Sequence, residues 1–326
     1  MTIKEIVSDI LEKKKAAGTP IDSVFFVGCG GSFAAQYPAK YFLEHESKTL
    51  KTAMYTSNEF VYATPKACGP SSIVIACSMR GTAETGEAVK RAASLGAATV
   101  SLYFQKSAMT EASSYIIPYL SIADDANPIL TGNGCKILAL AAEILEQTEG
   151  YSSYTQLMDG FNVLDDIYRK AKELSAEPAR NFAEACRDDD LIYVMGAGPS
   201  TGAAYIFSIC NLMEMQWIHS PTVNFGELLH GPFETVDKNL PIVCLLSTGR
   251  TRPVDDRAMK FLRTYGQRLF VLDAEELGLG RIDEKVNEYF CPIIFSSLLQ
   301  NVYLHAISET RNHPIATRRY MWKVAY

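Results

Sequence analysis

Glu214 and His230 stand sixteen residues apart in the second half of this 326-residue chain. Glu214 follows the run Tyr205-Ile206-Phe207-Ser208-Ile209-Cys210-Asn211-Leu212-Met213, which is apolar all round and predicts a buried helix from Thr201 to Gln216. Burial raises a carboxylate's pKa toward neutrality and suits it to take and return a proton. His230 lies in the glycine-bounded segment Gly226-Glu227-Leu228-Leu229-His230-Gly231-Pro232 and carries an imidazole, the side-chain type most used for proton transfer. Such a pair can shuttle protons beside a carbonyl carbon. Each residue also has an ordinary structural reading, and for His219 and His305 that reading is preferred.

Two further clusters suit an anion. In Gly28-Cys29-Gly30-Gly31-Ser32 the glycines let the backbone turn tightly after a strand, while Ser32 and free helix amides donate hydrogen bonds. A dinucleotide fingerprint would need a third glycine and a ribose-binding acid ending the second strand, and neither is present. In Ser78-Met79-Arg80-Gly81-Thr82, with Thr85, hydroxyls and a guanidinium gather at a helix start and suit a phosphate monoester. The plain alternatives are a tight turn for the first cluster, and for the second a Thr82 N-cap with a solvated Arg80.

These clusters recur. Met195-Gly196-Ala197-Gly198-Pro199-Ser200 repeats the first at an offset of 168 residues (Ser32 to Ser200), and Ser247-Thr248-Gly249-Arg250-Thr251 repeats the second at 169 (Ser78 to Ser247). Gly96 and Gly266 both precede an apolar strand. The chain therefore reads as a duplicated α/β unit, with expected domains 1–152 and 153–326. Expected strands in the first half are Val24–Val27, Thr52–Tyr55, Ile73–Cys77, Thr99–Tyr103 and Tyr115–Tyr119. In the second they are Leu191–Met195, Trp217–His219, Ile242–Leu246, Leu269–Leu272 and Tyr289–Ile294. Apolar strands alternating with helices, such as Ser32–Glu46, Glu84–Ser94 and Gly134–Glu149, predict a doubly wound parallel sheet flanked by helices in each half, a three-layer α/β/α sandwich.

Composition narrows the partners. With 31 basic and 37 acidic residues the net charge is −6, which argues against nucleic acid or an anionic membrane surface as a general partner. Eight cysteines without a Cys-x-x-Cys pair read as reduced thiols in a cytoplasmic protein. No apolar run approaches about 18 residues, so no membrane span is expected. The segment from Arg311 on carries Arg311, Arg318, Arg319 and Lys323 and no acid. It reads either as an arm closing over an anionic ligand or as a packing arm.

Across essentially the whole chain these motifs resemble the sugar isomerase (SIS) family, whose members carry two such domains. The Glu214-to-His230 spacing is similar to that family's catalytic pair. The ending His313-Pro314-Ile315-Ala316-Thr317-Arg318-Arg319-Tyr320-Met321-Trp322, with Met213-Glu214-Met215-Gln216-Trp217, most resembles the fructosamine-6-phosphate deglycase branch. The family's Ser-x-Ser-Gly-x-Thr phosphate loop is one residue shorter here; keeping Ser78, Gly81 and Thr82 in register puts Arg80 at the second serine.

The resemblance implies cleavage of a phosphorylated Amadori compound to glucose 6-phosphate and a free amine. It implies phosphate binding by Gly30, Gly31, Ser32, Ser78, Arg80, Thr82 and Thr85, and catalysis by Glu214 and His230, without metal or organic cofactor. Arg318, Arg319 and Lys323 stand as possible substrate contacts, and a homodimer with the histidine donated across the interface is expected. An aldose-ketose isomerase and a non-catalytic sugar-phosphate sensor are the alternatives.

Overall fold

The computed structural model describes residues 1–325, and the chain divides into two compact units, Met1–Thr155 and the residues from Gln156 on. The first unit is built on five parallel strands: β1 (Ser23–Gly28), β2 (Lys51–Thr56), β3 (Ser72–Ser78), β4 (Ala98–Tyr103) and β5 (Tyr115–Pro118). Their order is β2-β1-β3-β4-β5. Every residue of β1 and β3 is buried, as their unbroken apolar runs require when helices cover both faces. The hydroxyls of Ser23 and Ser72 satisfy each other at 2.9 Å where these two strands begin. β5 lies at the sheet edge, where its last residue, Pro118, costs no ladder hydrogen bond on the open side.

The second unit repeats this winding with four parallel strands, β6 (Tyr193–Gly196), β7 (Thr222–Asn224), β8 (Pro241–Leu246) and β9 (Arg268–Asp273), in the order β7-β6-β8-β9. In both sheets the strand order reverses beside the first strand. Loops leaving the carboxyl ends of β1 and β3, or of β6 and β8, therefore lie side by side, which is where open α/β sheets bind ligands. The backbone repeats as well: Gly30 and Gly198 have φ of 53° and 51°, Gly81 and Gly249 of 65° and 83°. Gly266, at φ −89°, does not follow Gly96 at 82°.

Four sequence expectations are corrected. Tyr289–Ile294 is not a fifth strand but lies within a helical run from Asn287 to Thr310. Phe290, Cys291, Ile294 and Phe295 are fully buried, so an apolar surface on every side erases the period that separates helix from strand, and Pro292 sits in the first turn, where a helix tolerates it. That run is also long and apolar enough to cross a membrane, contrary to the expectation that none would be, but most of it is buried inside the unit, as in a core helix. Trp217–His219 forms only one bridge, Leu191 to His219, and the edge strand begins at Thr222. The helix expected over Ser32–Glu46 is two helices, Gly30–Ala34 and Tyr37–Glu46, the second with proline in its first turn.

Candidate active site

In the first unit the loop after β3 is held by its own hydroxyls. Ser78, nearly buried, accepts hydrogen bonds from the amides of Gly81 at 3.1 Å and Thr82 at 3.3 Å. A side chain at Gly81 is excluded twice, by φ of 65° and because a Cβ there would lie 1.8 Å from Ser107 Oγ. The hydroxyl of Thr82 meets that of Thr85 at 3.0 Å, and Thr85, buried, meets Ser57 at 2.8 Å. Thr85 thus steadies Thr82 from below, while Arg80 and Thr82 are exposed.

The loop after β1 is pinned from beneath by Gln36, which sequence reasoning missed. Gln36 is fully buried and its Nε2 donates to the carbonyls of Val27 at 3.0 Å and Ser32 at 3.2 Å. Its signal was a lone amide four residues past Ser32 on an otherwise apolar face. Ser32, Asn133 and Tyr119 hydrogen-bond the buried Cys77 thiol, which burial pushes up to about 11. Gly30, Gly31 and Ser32 keep partly open backbone at this turn.

The second unit's corresponding loop is already filled. Arg250 Nε pairs with Glu288 at 2.6 Å, and the Arg250 amide donates to the same carboxylate at 3.2 Å. A Cβ at Gly249 would lie 2.6 Å from Glu288 Oε2, so the carboxylate occupies the hollow of the turn. Ser247 donates through its amide, at 2.8 Å, and its hydroxyl, at 3.1 Å, to the buried Asp255. Arg252 forks onto Asp273 with two contacts of 2.7 Å. Protein carboxylates thus sit where the first unit's loop leaves Arg80 and Thr82 exposed.

Glu214 rides on a π-helical segment, Phe207–Met215, that continues the helix Thr201–Ile206. Such wider turns are rare and recur at functional sites. Glu214 lines a cavity of about 870 Å³ with Ile209, Met213, Trp217, Ile218, His219 and Asp190; Arg318 to Met321 of the tail complete the wall. Arg318 Nη2 pairs with Glu214 Oε1 at 2.7 Å, its side chain only 9% exposed. Burial pushes the Glu214 carboxyl above its ordinary range, and Arg318 opposes that rise without cancelling it.

Of the three tail cations singled out from the sequence, two are engaged by the chain itself. Arg318 Nη1 donates to the carbonyls of Ile315 at 2.6 Å and Thr317 at 3.0 Å, and Lys323 Nζ to the carbonyl of Arg318 at 2.5 Å. Arg319 instead lies over the Trp217 ring, its guanidinium carbon 4.3 Å from the centroid. Trp217 and His219 were missed as site residues because the sequence assigns them to a strand, whose alternation carries no sign of a cavity wall.

His230 sits on an exposed turn after the short helix Phe225–Leu228 and before Gly231, at φ 135°. It is not among the residues lining the Glu214 cavity. Among the described residues no group of His, Cys, Asp and Glu could hold a metal ion, and the eight cysteines are free thiols.

Two parallel sheets of this winding, with glycine-hydroxyl loops at their switch points, give the molecule an α/β fold shared with candidate phosphosugar isomerases. A candidate phosphosugar isomerase from Salmonella typhimurium LT2 superposes with a TM-score of 0.94 at 44% identity, covering 99% of this chain and 98% of that one. The C-terminal domain of glucosamine-fructose-6-phosphate aminotransferase from Francisella tularensis shares the fold, with a TM-score of 0.77 at 17% identity over 96% of this chain and 94% of that one. No family model matches the sequence. The chain is 40% identical over 311 residues to fructosamine deglycase FrlB of Bacillus subtilis (strain 168), spanning 95% of this chain and 94% of that protein. It is 26% identical over 264 residues to fructoselysine 6-phosphate deglycase of Escherichia coli (strain K12), spanning 80% of this chain and 75% of that protein. The chain belongs to the fructosamine deglycase family.

Proposed function

We propose that this protein is a fructosamine-6-phosphate deglycase, built from two SIS domains, that cleaves a 6-phosphorylated Amadori compound to glucose 6-phosphate and a free amine. The observation that carries this reading is Glu214, held half-buried at a cavity wall with its proton affinity raised, in a chain so similar to FrlB. The first unit's Gly30, Gly31, Ser32, Ser78, Arg80 and Thr82 take the phosphate, with Thr85 supporting Thr82. The self-filled loop of the second unit supports assigning the phosphate to the first. Binding a remote phosphate orients the reacting carbons and contributes to the rate.

Glu214 removes a proton from carbon 1 of the open-chain ketosamine while the carbonyl oxygen at carbon 2 is protonated by His230, giving an enaminol. Glu214 returns the proton to carbon 2, and the nitrogen lone pair forms the carbon 1 imine. Water adds at carbon 1 and the carbon–nitrogen bond breaks; of the two protons the water gives up, one leaves with the amine and one returns to His230. The carbon 2 carbonyl takes up the electron pair left by the carbon 1 proton, and the amine nitrogen then donates its own pair, so this sequence needs no cofactor. That His230 is absent from the walls of its own Glu214 cavity supports a homodimer in which the histidine serves the partner copy. Purified protein is expected to release glucose 6-phosphate from a 6-phosphofructosamine. Interconversion of fructose 6-phosphate without amine release would make it an isomerase, and ligand-induced stabilisation without turnover a sensor.

A further inference from the structure

Trp217 is held in the left-handed region, at φ 58°, three residues past Glu214. That conformation is strained for a non-glycine residue and persists only where its surroundings fix it. Here they do: the amide of Ile218 donates to the carbonyl of Leu212 at 3.0 Å, and Gln216 Nε2 donates to the carbonyl of His313 at 3.1 Å. The His313 ring stands edge-on to the indole, centroids 4.5 Å apart. The strain therefore aims a flat, 39% exposed aromatic surface at the cavity that Glu214 also lines.

Arg319 lies on that surface, exposed, its guanidinium making no hydrogen bond or ion pair with the described residues. A guanidinium stacked on an aromatic ring gives up rotamer freedom in advance and keeps its planar fork of N–H groups for a planar anion. Arg318, one residue earlier, is committed to Glu214 and to backbone carbonyls, so the two adjacent arginines divide their tasks.

We propose that Arg319, seated on Trp217, binds the carboxylate of the departing amine, so that this cavity is a leaving-group subsite selecting amino acids over simple amines. The inference rests on the deglycase reading and deepens it.

The test compares kcat/KM for paired 6-phosphofructosamines that differ by one carboxylate: the glycine adduct against the methylamine adduct, and the Nε-lysine adduct against that of 1,5-diaminopentane. The wild-type protein should prefer the carboxylate-bearing member of at least one pair by about ten-fold or more, the scale of a charged hydrogen bond. Arg319→Met should collapse that ratio toward one, and Arg319→Lys should restore part of it. Equal use of both members of both pairs by the wild-type protein, or a ratio unchanged in Arg319→Met, would overturn the subsite. No turnover of any adduct by the wild-type protein would overturn the deglycase reading itself, and the subsite with it.

Discussion

The Arg318 guanidinium meets the Glu214 carboxylate at 2.7 Å, with Arg318 nearly buried and Glu214 facing the cavity. The pairing joins two opposed demands on a general base. Burial raises the carboxyl's proton affinity, which strengthens it as a base but disfavours its ionised form, while the cation of Arg318 favours that form. The tail residue thus opposes the rise that burial imposes on Glu214.

Replacing Arg318 by methionine should accordingly raise the Glu214 pKa further, since the cation favours the charged form. The base must be ionised, so the acidic limb of kcat/KM should move to higher pH. Comparing the two pH profiles tests the sign: an unchanged limb would mean that Glu214 is not the group titrating there.

Glu214→Gln keeps the shape of the side chain and removes the base. Deglycation should fall by about 10²- to 10⁴-fold, the usual contribution of a positioned acid or base, while glucose 6-phosphate still raises the melting temperature. Retained turnover would remove Glu214 from the mechanism.

Gln36→Leu should act on binding through the loop it supports. The Val27 and Ser32 carbonyls would each lose a buried donor, at a cost of about 1–3 kcal/mol in stability. Urea denaturation measures that loss, and steady-state kinetics should show it as a raised KM with a smaller change in kcat.

Asp255 offers a pH signature of stability. Burial pushes its carboxyl up to about 7 against Ser247's hydrogen bonds, and its Oδ1 has no hydrogen-bond partner. The folded-state pKa lies above the unfolded one, so this group's stabilising contribution is complete below about pH 4 and is lost as pH rises toward 7. Asp255→Asn abolishes that titration. The variant's melting temperature relative to wild type should therefore rise between pH 5 and pH 8, and a flat difference would contradict the buried proton.

How far the sequence spoke depends on how local each feature is. The turns at Gly30, Gly81, Gly198 and Gly249 were legible because a positive φ at a strand end leaves its mark in one residue, and the offset of 168 or 169 matched them in pairs. Arg318, Arg319 and Lys323 were legible only as charge; that one grips Glu214 and one rests on Trp217 depends on packing between residues about a hundred positions apart, and that Lys323 folds back on the Arg318 carbonyl depends on the turn the tail makes. Tyr289–Ile294 misread because a helix buried on every side has no polar face to set its period. Gln36 was overlooked because its one signal, a lone amide among apolar neighbours, has no period to set it apart.

Glu288 has a quantitative consequence. By filling the turn at Gly249 and pairing with Arg250, it leaves the second unit's loop, the counterpart of the one after β3, with a permanent tenant. A ligand titrated onto the enzyme should thus saturate at one equivalent per chain, although the fold presents the same loop twice.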